Sequence, residues 1–553
     1  MRGNWYWLTA LLVFASLRSG SAQIADKKCV VEGTASDAIT GEVLRKVVVE
    51  LGSWYPSNIK YQAVTDASGR FHFEAIPPGE YRLGGERPGY LPTSLGTSRT
   101  DSPGIILQLK AGDHVSDLPL KLTRASVVSG KVTDEFGEPV EALVNAYRSA
   151  WLNGHREYFL FGQGSTNEAG EFRITGLSAG HYYLHASSGG NTFLDEQGNP
   201  EKRLLSVFYP NARGLSEASP VEVPAGEHVT GINFRLRAVQ TFHVRGRLST
   251  PLKSDLPVSI VAVHDGLDRR TFELDETEVN KNGAFEISGL PGGSYEFEVV
   301  TDSKSPYSAG SLPIEIKGRN LNGIVVPVKT AVEVSGKIHF EEGATHVTGA
   351  TFVFLDALTG SYSDTNIFPT VKEDGTFQAS VPLGRYIIAL PTRSDKDYVK
   401  SASYGGRNIL GQEVDFSQGV SGEIDIVVAP GAGRVEGSVT IPLQADSNAA
   451  KESWNGAEVA LISDRPRLDL AGAFITSLDQ SGHFAFKGIP PGKYYAFASA
   501  AVDNGIWRNR EFFDQIRSAG VEVELPENGR VEIQVTPLDG SAVERALAVM
   551  GQQ

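Results

Sequence analysis

Short runs in which apolar and polar residues alternate recur along the whole chain. In TDASGRFHFEAIPPGEYRL, from Thr65 to Leu83, Phe71 and Phe73 alternate with His72 and Glu74. A period of two predicts a half-buried β-strand. The Asp/Asn and Gly residues ahead of the run, and the Pro-Gly pair after it, predict tight turns at both ends.

The same grammar returns four more times, as TNEAGEFRITGLSAGHYYL from Thr166, NKNGAFEISGLPGGSYEF from Asn280, KEDGTFQASVPLGRYII from Lys372 and LDQSGHFAFKGIPPGKYYAF from Leu478. The leading glycines are Gly69, Gly170, Gly283, Gly375 and Gly482, spaced by between 92 and 113 residues. A Gly-x-Tyr follows each at nearly fixed distance, placing Tyr81, Tyr182, Tyr295, Tyr386 and Tyr494 at equivalent positions. One domain per hundred or so residues follows from such a repeat. The tyrosines read as structural, with a buried ring and a hydroxyl bonded to backbone near the corner.

Upstream of each turn lies a strand with Gly-x-hydrophobic near its end: VVEGTASD at Val30, VVSGKVTD at Val127, FHVRGRLS at Phe242, VEVSGKIH at Val332 and RVEGSVTI at Arg434. A variable loop, a strand rich in β-branched residues and an alternating closing strand complete each unit, giving about seven strands. The expected architecture is all-β, a tandem array of five Greek-key β-sandwiches of transthyretin-like (prealbumin-like) form. The expected units are a leader over 1–22, sandwiches over 23–124, 125–238, 239–330, 331–431 and 432–538, and a short amphipathic tail over 539–553.

These strings resemble carboxypeptidase regulatory-like domains of bacterial tandem proteins, a transthyretin-like sandwich related to collagen-adhesin B-type repeats and to the carbohydrate-binding-like fold. FYPNARGLSEASPVEVPAGEHVTGINFRL, from Phe208 to Leu236, and DYVKSASYGGRNIL, from Asp397 to Leu410, add to the resemblance. It implies small accessory sandwiches, usually non-catalytic.

Composition sharpens this picture. Sixty glycines and 28 prolines fit many turns between short strands. Arg2, the apolar run Trp5 to Leu17 and the small residues Ser19 to Ala22 read as a secretory signal peptide. No later run reaches the ~20 apolar residues of a membrane-spanning helix. The formal net charge is −15, and loss of a leader carrying Arg2 and Arg18 makes it more negative. This balance opposes nucleic acid and anionic membrane as partners. Cys29 is the single cysteine, so no intrachain disulfide and no cysteine metal site is expected.

Familiar catalytic patterns dissolve on inspection. Gly-x-Ser-x-Gly occurs as GLSAG around Ser178, but it occupies the repeat turn and a second strand follows it, where a nucleophile elbow needs a helix. GIPPGKYY near Gly488 is one residue short of a phosphate loop, and its prolines remove donors. The histidines, among them His72, His114, His155, His181 and His185, are scattered. Lys131 and Asn233 open and close the second unit, but no acid is identified that would join them in an isopeptide bond. No catalytic residue, cofactor or metal is expected.

Binding is the remaining class. Trp54 with Tyr55, Trp151 with Tyr158, Trp454 and Trp507 fall in or near the variable stretches, where aromatic faces stack on sugars, anchor protein partners or fill joints between domains. The expected function is that of an exported, non-enzymatic interaction protein, a semi-rigid rod whose partner is an envelope protein or a polysaccharide. The alternative is a dedicated carbohydrate-binding protein using the loop aromatics.

Overall fold

The computed structural model describes residues 27–53, 59–97, 102–188, 192–194, 200–250, 258–264, 275–301, 307–308, 310–345, 353–356, 367–390, 394–440, 457–500, 502 and 504–551. The leader, Trp54, Tyr55 and Trp454 lie outside the described residues.

The first sandwich shows the plan. Strand Cys29–Asp37 lies in the middle of a three-stranded sheet, antiparallel to Arg70–Ile76 and parallel to His114–Leu122. Facing it is a sheet in which Val48–Ser53 pairs with Ile59–Val64 and Gly79–Glu86. Between the sheets sit Val31, Val49, Leu51, Phe71, Phe73, Leu107 and Leu120, all buried. The same central strand, with an antiparallel motif strand and a parallel closing strand, recurs at Ser126–Thr133, Ala238–Leu248, Val332–Phe340 and Gly433–Val439. Each of the five has its own buried cluster.

The repeat residues make this plan by local chemistry. The Oδ1 of Asp66 accepts from the backbone N–H of Ser68 and Arg70, and that of Asn167, Asn280 and Asp479 accepts from the residues two and four ahead in the same way. In the fourth copy Lys372 holds that place, and Asp374 instead accepts from the Thr376 amide. Gly69, Gly170, Gly283, Gly375 and Gly482 all have φ between +73° and +82°, the left-handed region that a Cβ disfavours. The tyrosine hydroxyls each donate to the carbonyl four residues upstream: Tyr81 to Pro77 at 3.0 Å, Tyr182 to Ser178 at 2.9 Å, Tyr295 to Pro291 at 3.0 Å, Tyr386 to Pro382 at 2.8 Å and Tyr494 to Pro490 at 2.7 Å. Burial pushes the Tyr295 and Tyr494 phenols up, so they remain protonated donors.

The glycine of each first strand has a different purpose. A Cβ on Gly33, Gly130, Gly246, Gly336 or Gly437 would lie within 2.5 Å of a carbonyl oxygen on the parallel closing strand. In four of the five copies the motif phenylalanine fills the other side, so that the same Cβ would lie 2.6 Å from Phe71 at Gly33 or 2.4 Å from Phe377 at Gly336. Backbone and ring meet there only because the side chain is missing.

Three departures distinguish the copies. In the fourth, Asp397–Tyr404 pairs with the closing strand Ile424–Pro430 and widens the first sheet to five strands. The hairpin of Thr192–Leu194 and Pro200–Leu204 leaves the second unit and pairs with the start of Ala238–Leu248, with Arg203 Nη1 2.6 Å from Asp275 Oδ1. The fifth carries helix α1, Arg510–Ile516, capped by Asn509 Oδ1 on the Phe512 amide, and helix α2, Gly540–Gly551. The tail is thus a docked helix, with Val543, Ala546 and Met550 buried in a second apolar cluster beside α1.

A rod is not what forms. Ile106 N donates to Leu478 O at 2.9 Å, Gln108 N donates to Gln480 Oε1 at 2.9 Å and Gln480 Nε2 donates to Gln108 O at 2.9 Å, so the first sandwich is laced to the fifth. The fifth also meets the second: Gly154 N donates to Gly505 O at 2.9 Å, Asn509 Nδ2 donates to Gly154 O at 2.8 Å, and Trp151 packs on the helical cluster. The expected semi-rigid rod is therefore corrected to an array folded back on itself. The joints reinforce it: Arg124 Nε lies 2.7 Å from the buried carboxylate of Asp37, and the Gly431 and Ala432 amides donate to Lys396 O at 2.9 Å.

Candidate functional site

Two of the loop aromatics are used inside the molecule. Trp507, on the turn Asn504–Arg508, is fully buried and stacks on Phe497 at 6.1 Å with Phe512 edge-on at 5.8 Å. It is not available to a sugar or a partner, which corrects its place among the candidate ligand aromatics. Trp151, at the end of strand Leu143–Leu152, is half-buried in the joint with the fifth sandwich; a Cβ on Gly505 would lie 1.8 Å from its carbonyl oxygen. Tyr158 is half-buried, edge-on to Tyr183 at 5.5 Å. The signal missed in the sequence was the Asn509 cap ahead of Phe512, Phe513 and Ile516, which marks a helix with an apolar face in a chain of strands.

A polar groove of about 330 Å³ lies on the outer face of the second sheet of the first sandwich. Alternation makes it. Val49 and Leu51 face the core, so Glu50 faces out beside Gly52, while Lys60, Gln62 and Arg82 project from the neighbouring strands. Gly52 and Gly84 leave the floor without side chains, so backbone groups stay within reach. Lys60 Nζ is 2.8 Å from Glu50 Oε1, and Gln62 Nε2 donates to Glu50 Oε2 at 3.5 Å. Arg82 Nη1 donates to the carbonyls of Pro103 at 2.9 Å and Gly104 at 2.8 Å, and both Nη atoms reach Ser477 Oγ of the fifth sandwich at 3.2 Å. Burial pushes the Arg82 guanidinium pKa down, against the charges of Glu458 and Glu80. In sequence, Trp54 and Tyr55 follow directly on the strand Val48–Ser53.

On the opposite sheet the fold gathers histidines that are far apart in sequence. Glu32 bridges His72 Nδ1 at 3.2 Å and His114 Nε2 at 2.7 Å, with Glu74 on the far nitrogen of His72 at 2.8 Å. Bonds to Glu74 and Glu32 raise the His72 pKa, and bonds from His114 and His72 lower that of Glu32. Among the described residues no group of three or more His, Cys, Asp or Glu side chains is placed to hold a metal ion. His185 is buried against Phe208 with ring centroids 4.6 Å apart, and desolvation pushes its pKa down to about 4.

The remaining motifs are accounted for by the fold. Ser178 Oγ accepts from Arg148 Nη1 at 2.8 Å, and its backbone carbonyl takes the Tyr182 hydroxyl. Asn233 Oδ1 accepts from the backbone N–H of Lys131 at 3.0 Å.

Residues 30–108 match the model of the carboxypeptidase regulatory-like domain. The first sandwich is a carboxypeptidase regulatory-like domain. The other four sandwiches repeat the arrangement of its first sheet, an antiparallel motif strand and a parallel closing strand on either side of the central strand. No curated protein matches the chain. Among solved structures, the TIE protein of Bacillus anthracis is 17% identical over 55% of this chain and 51% of its own, with a TM-score of 0.17. The major pilin subunit BcpA of Bacillus cereus is 11% identical over 55% of this chain and 100% of its own, with a TM-score of 0.15. The minor pilin GBS52 of Streptococcus agalactiae is 11% identical over 34% and 96%, with a TM-score of 0.21. The chain spans about half the length of the TIE protein. Among the described residues, no helix is long and apolar enough to cross a membrane.

Proposed function

We propose that this chain is an exported, non-enzymatic interaction protein that holds an envelope protein or a polysaccharide at the groove of its first regulatory-like sandwich. The observation that carries the reading is the groove itself: Glu50, Lys60, Gln62 and Arg82 over a glycine floor, with Arg82 fixed by bonds to the Pro103 and Gly104 carbonyls and to Ser477. Fixed hydrogen-bonding groups on a firm scaffold are what recognition needs, and they lower the entropic cost of association. Export, with residues 1–22 as a leader, and the division into sandwiches at 124, 238, 330 and 431 are part of the same reading.

The test is affinity capture with the mature chain against envelope extract and a polysaccharide panel, repeated with Gln62→Ala and Lys60→Ala. Capture that weakens in both variants supports the groove. Capture unchanged by either removes it as the site.

A carbohydrate reading retains one specific support, the sequence adjacency of Trp54 and Tyr55 to the groove strand Val48–Ser53. It expects a glycan whose binding is lost in Trp54→Ala, and it no longer draws on Trp507. A panel with no glycan retained dismisses it.

A further inference from the structure

The stretch DYVKSASYGGRNIL plays no part in the groove of the first sandwich, and the fold gives it another use. As strand Asp397–Tyr404 it extends the first sheet of the fourth sandwich sideways. Beside it the core of that sandwich reaches a cleft. Ile388, Ala402 and Ile426, which belong to the fourth core, also line a space of about 500 Å³ shared with the fifth sandwich. Phe474 and Ile475, on the strand Ala473–Ser477, form the facing wall and are half-buried.

Contacts at the rim keep the two walls apart. Leu468 N donates to Gly411 O at 2.9 Å, and Gly411 abuts Arg467 so closely that a Cβ there would lie 2.9 Å from the Arg467 side chain. A Cβ on Gly488 would lie 3.3 Å from Ser394 O, which sets a second point of close approach. The space therefore exists without a guest. Its volume falls within the ~300–1,000 Å³ range of small-molecule sites, which are mostly apolar.

The charged groups at one end are taken up by the protein itself. Arg467 holds Asp469 in a two-point pair, Nε to Oδ1 at 2.9 Å and Nη2 to Oδ2 at 2.5 Å, with both side chains mostly buried. Arg508 donates to the carbonyls of Asp469 at 3.1 Å and Ala473 at 3.0 Å. Among the described residues that line the cleft, no other carries a charge. An ionic guest would give up its hydration to meet groups already engaged, which is unfavourable for a charge. A hydrocarbon body gains by covering the apolar walls.

We propose that this cleft binds an uncharged hydrophobic molecule, an aliphatic or aromatic body lying between the exposed end of the fourth core and the wall of Phe474 and Ile475. The site is separate from the groove of the first sandwich, and neither depends on the other.

The experiment uses the mature chain and the uncharged fluorescent probe N-phenyl-1-naphthylamine. Val399→Trp and Ile475→Trp fill the cleft from the fourth and fifth sandwiches at half-buried positions of its lining, and circular dichroism verifies that each variant is folded. The expected result is saturable binding of one probe per chain, weakened about tenfold or more in each variant. Decanol should displace the probe at about a tenth of the concentration that decanoate needs. A readout on wild type stands apart from the variants: a guest touching both walls should slow hydrogen exchange of the Leu468 amide, which bonds across the rim, about tenfold at ten times its dissociation constant. Absence of saturable binding, affinity retained in a folded variant, or unchanged exchange at Leu468 overturns the site. Displacement by decanoate at the same concentration as decanol, or a lower one, overturns the uncharged class.

Discussion

The joint between the second and fifth sandwiches makes Gly505→Ala a selective perturbation. Gly505 is not in the left-handed region, so alanine meets no backbone penalty of its own. Its Cβ would nevertheless lie 1.8 Å from Trp151 O, 2.4 Å from Trp151 C and 2.9 Å from Leu152 N, all backbone of the second sandwich. The strain is relieved by parting the two sandwiches. Parting them breaks the Gly154 to Gly505 and Asn509 to Gly154 bonds, each worth about 0.5–1.5 kcal/mol net. It also uncovers the packed part of the Trp151 indole, about 1–2 kcal/mol on the scale of a fully buried side chain. Closure at this joint should weaken by about 3 kcal/mol, roughly a hundredfold in its equilibrium. The five sandwich cores are untouched, so the main melting transition should barely move. The assay is amide hydrogen exchange at Gly154, whose protection should fall about a hundredfold while that of core amides such as Val128 holds. Unchanged protection at Gly154 in the variant would refute the reasoning.

Further outcomes follow from the same structure. Tyr494→Phe removes a buried hydroxyl donating to Pro490 O at 2.7 Å and should cost the fifth sandwich about 1 kcal/mol in chemical denaturation, whereas no loss would deny the corner its role. Gly437→Ala places a Cβ 1.9 Å from Ile533 O and should cost about 2 kcal/mol or more by the same method. Asp37 is a buried carboxylate: desolvation pushes its pKa up, but bonds from the Thr40 amide, Arg124, the Ile39 amide and Tyr90 outweigh it and hold the pKa well below the usual range. A depressed carboxylate adds stability that is complete above its unfolded pKa of about 4 and is lost as pH falls below that. Asp37→Asn should therefore be less stable than wild type near neutrality, with a gap that shrinks as pH falls below about 4; a gap that does not change with pH would contradict this. His72, held by Glu74 and Glu32, should titrate above its ordinary value by NMR, and Glu32→Gln should lower its midpoint; equal midpoints would contradict the bridge.

What could be read in the sequence was set by locality. The Asp66-to-Gly69 turn, the alternation of Phe71 and Phe73 and the corner from Pro77 to Tyr81 each close within five residues, so spacing alone exposes them. The Gly33 type of position was visible as a recurring letter, but its reason lies in Leu118, on a strand more than eighty residues away. The candidate sites were less legible for the same cause. Trp151 and Trp507 stand in variable stretches as an exposed binding aromatic would, but Trp507 is covered by Phe497 and the helix Arg510–Ile516 of its own unit, and Trp151 is packed against that helical cluster where the fifth sandwich returns onto the second. The groove is foreshadowed by the alternation of Glu50 with Val49 and Leu51, yet Arg82 is fixed in part by Ser477, nearly four hundred residues on. His72 and His114 looked scattered because Glu32 joins them across three strands.

The claim on which most of this depends is that the fifth sandwich closes the array against the first and second. Small-angle X-ray scattering of the mature chain tests it directly. A single compact body of this length has a radius of gyration near ~24 Å, whereas five sandwiches about 30 Å long placed end to end would give about 43 Å. The closed array predicts a value much nearer the first, with a single-peaked distance distribution. A value near the second, with a long tail, would contradict it.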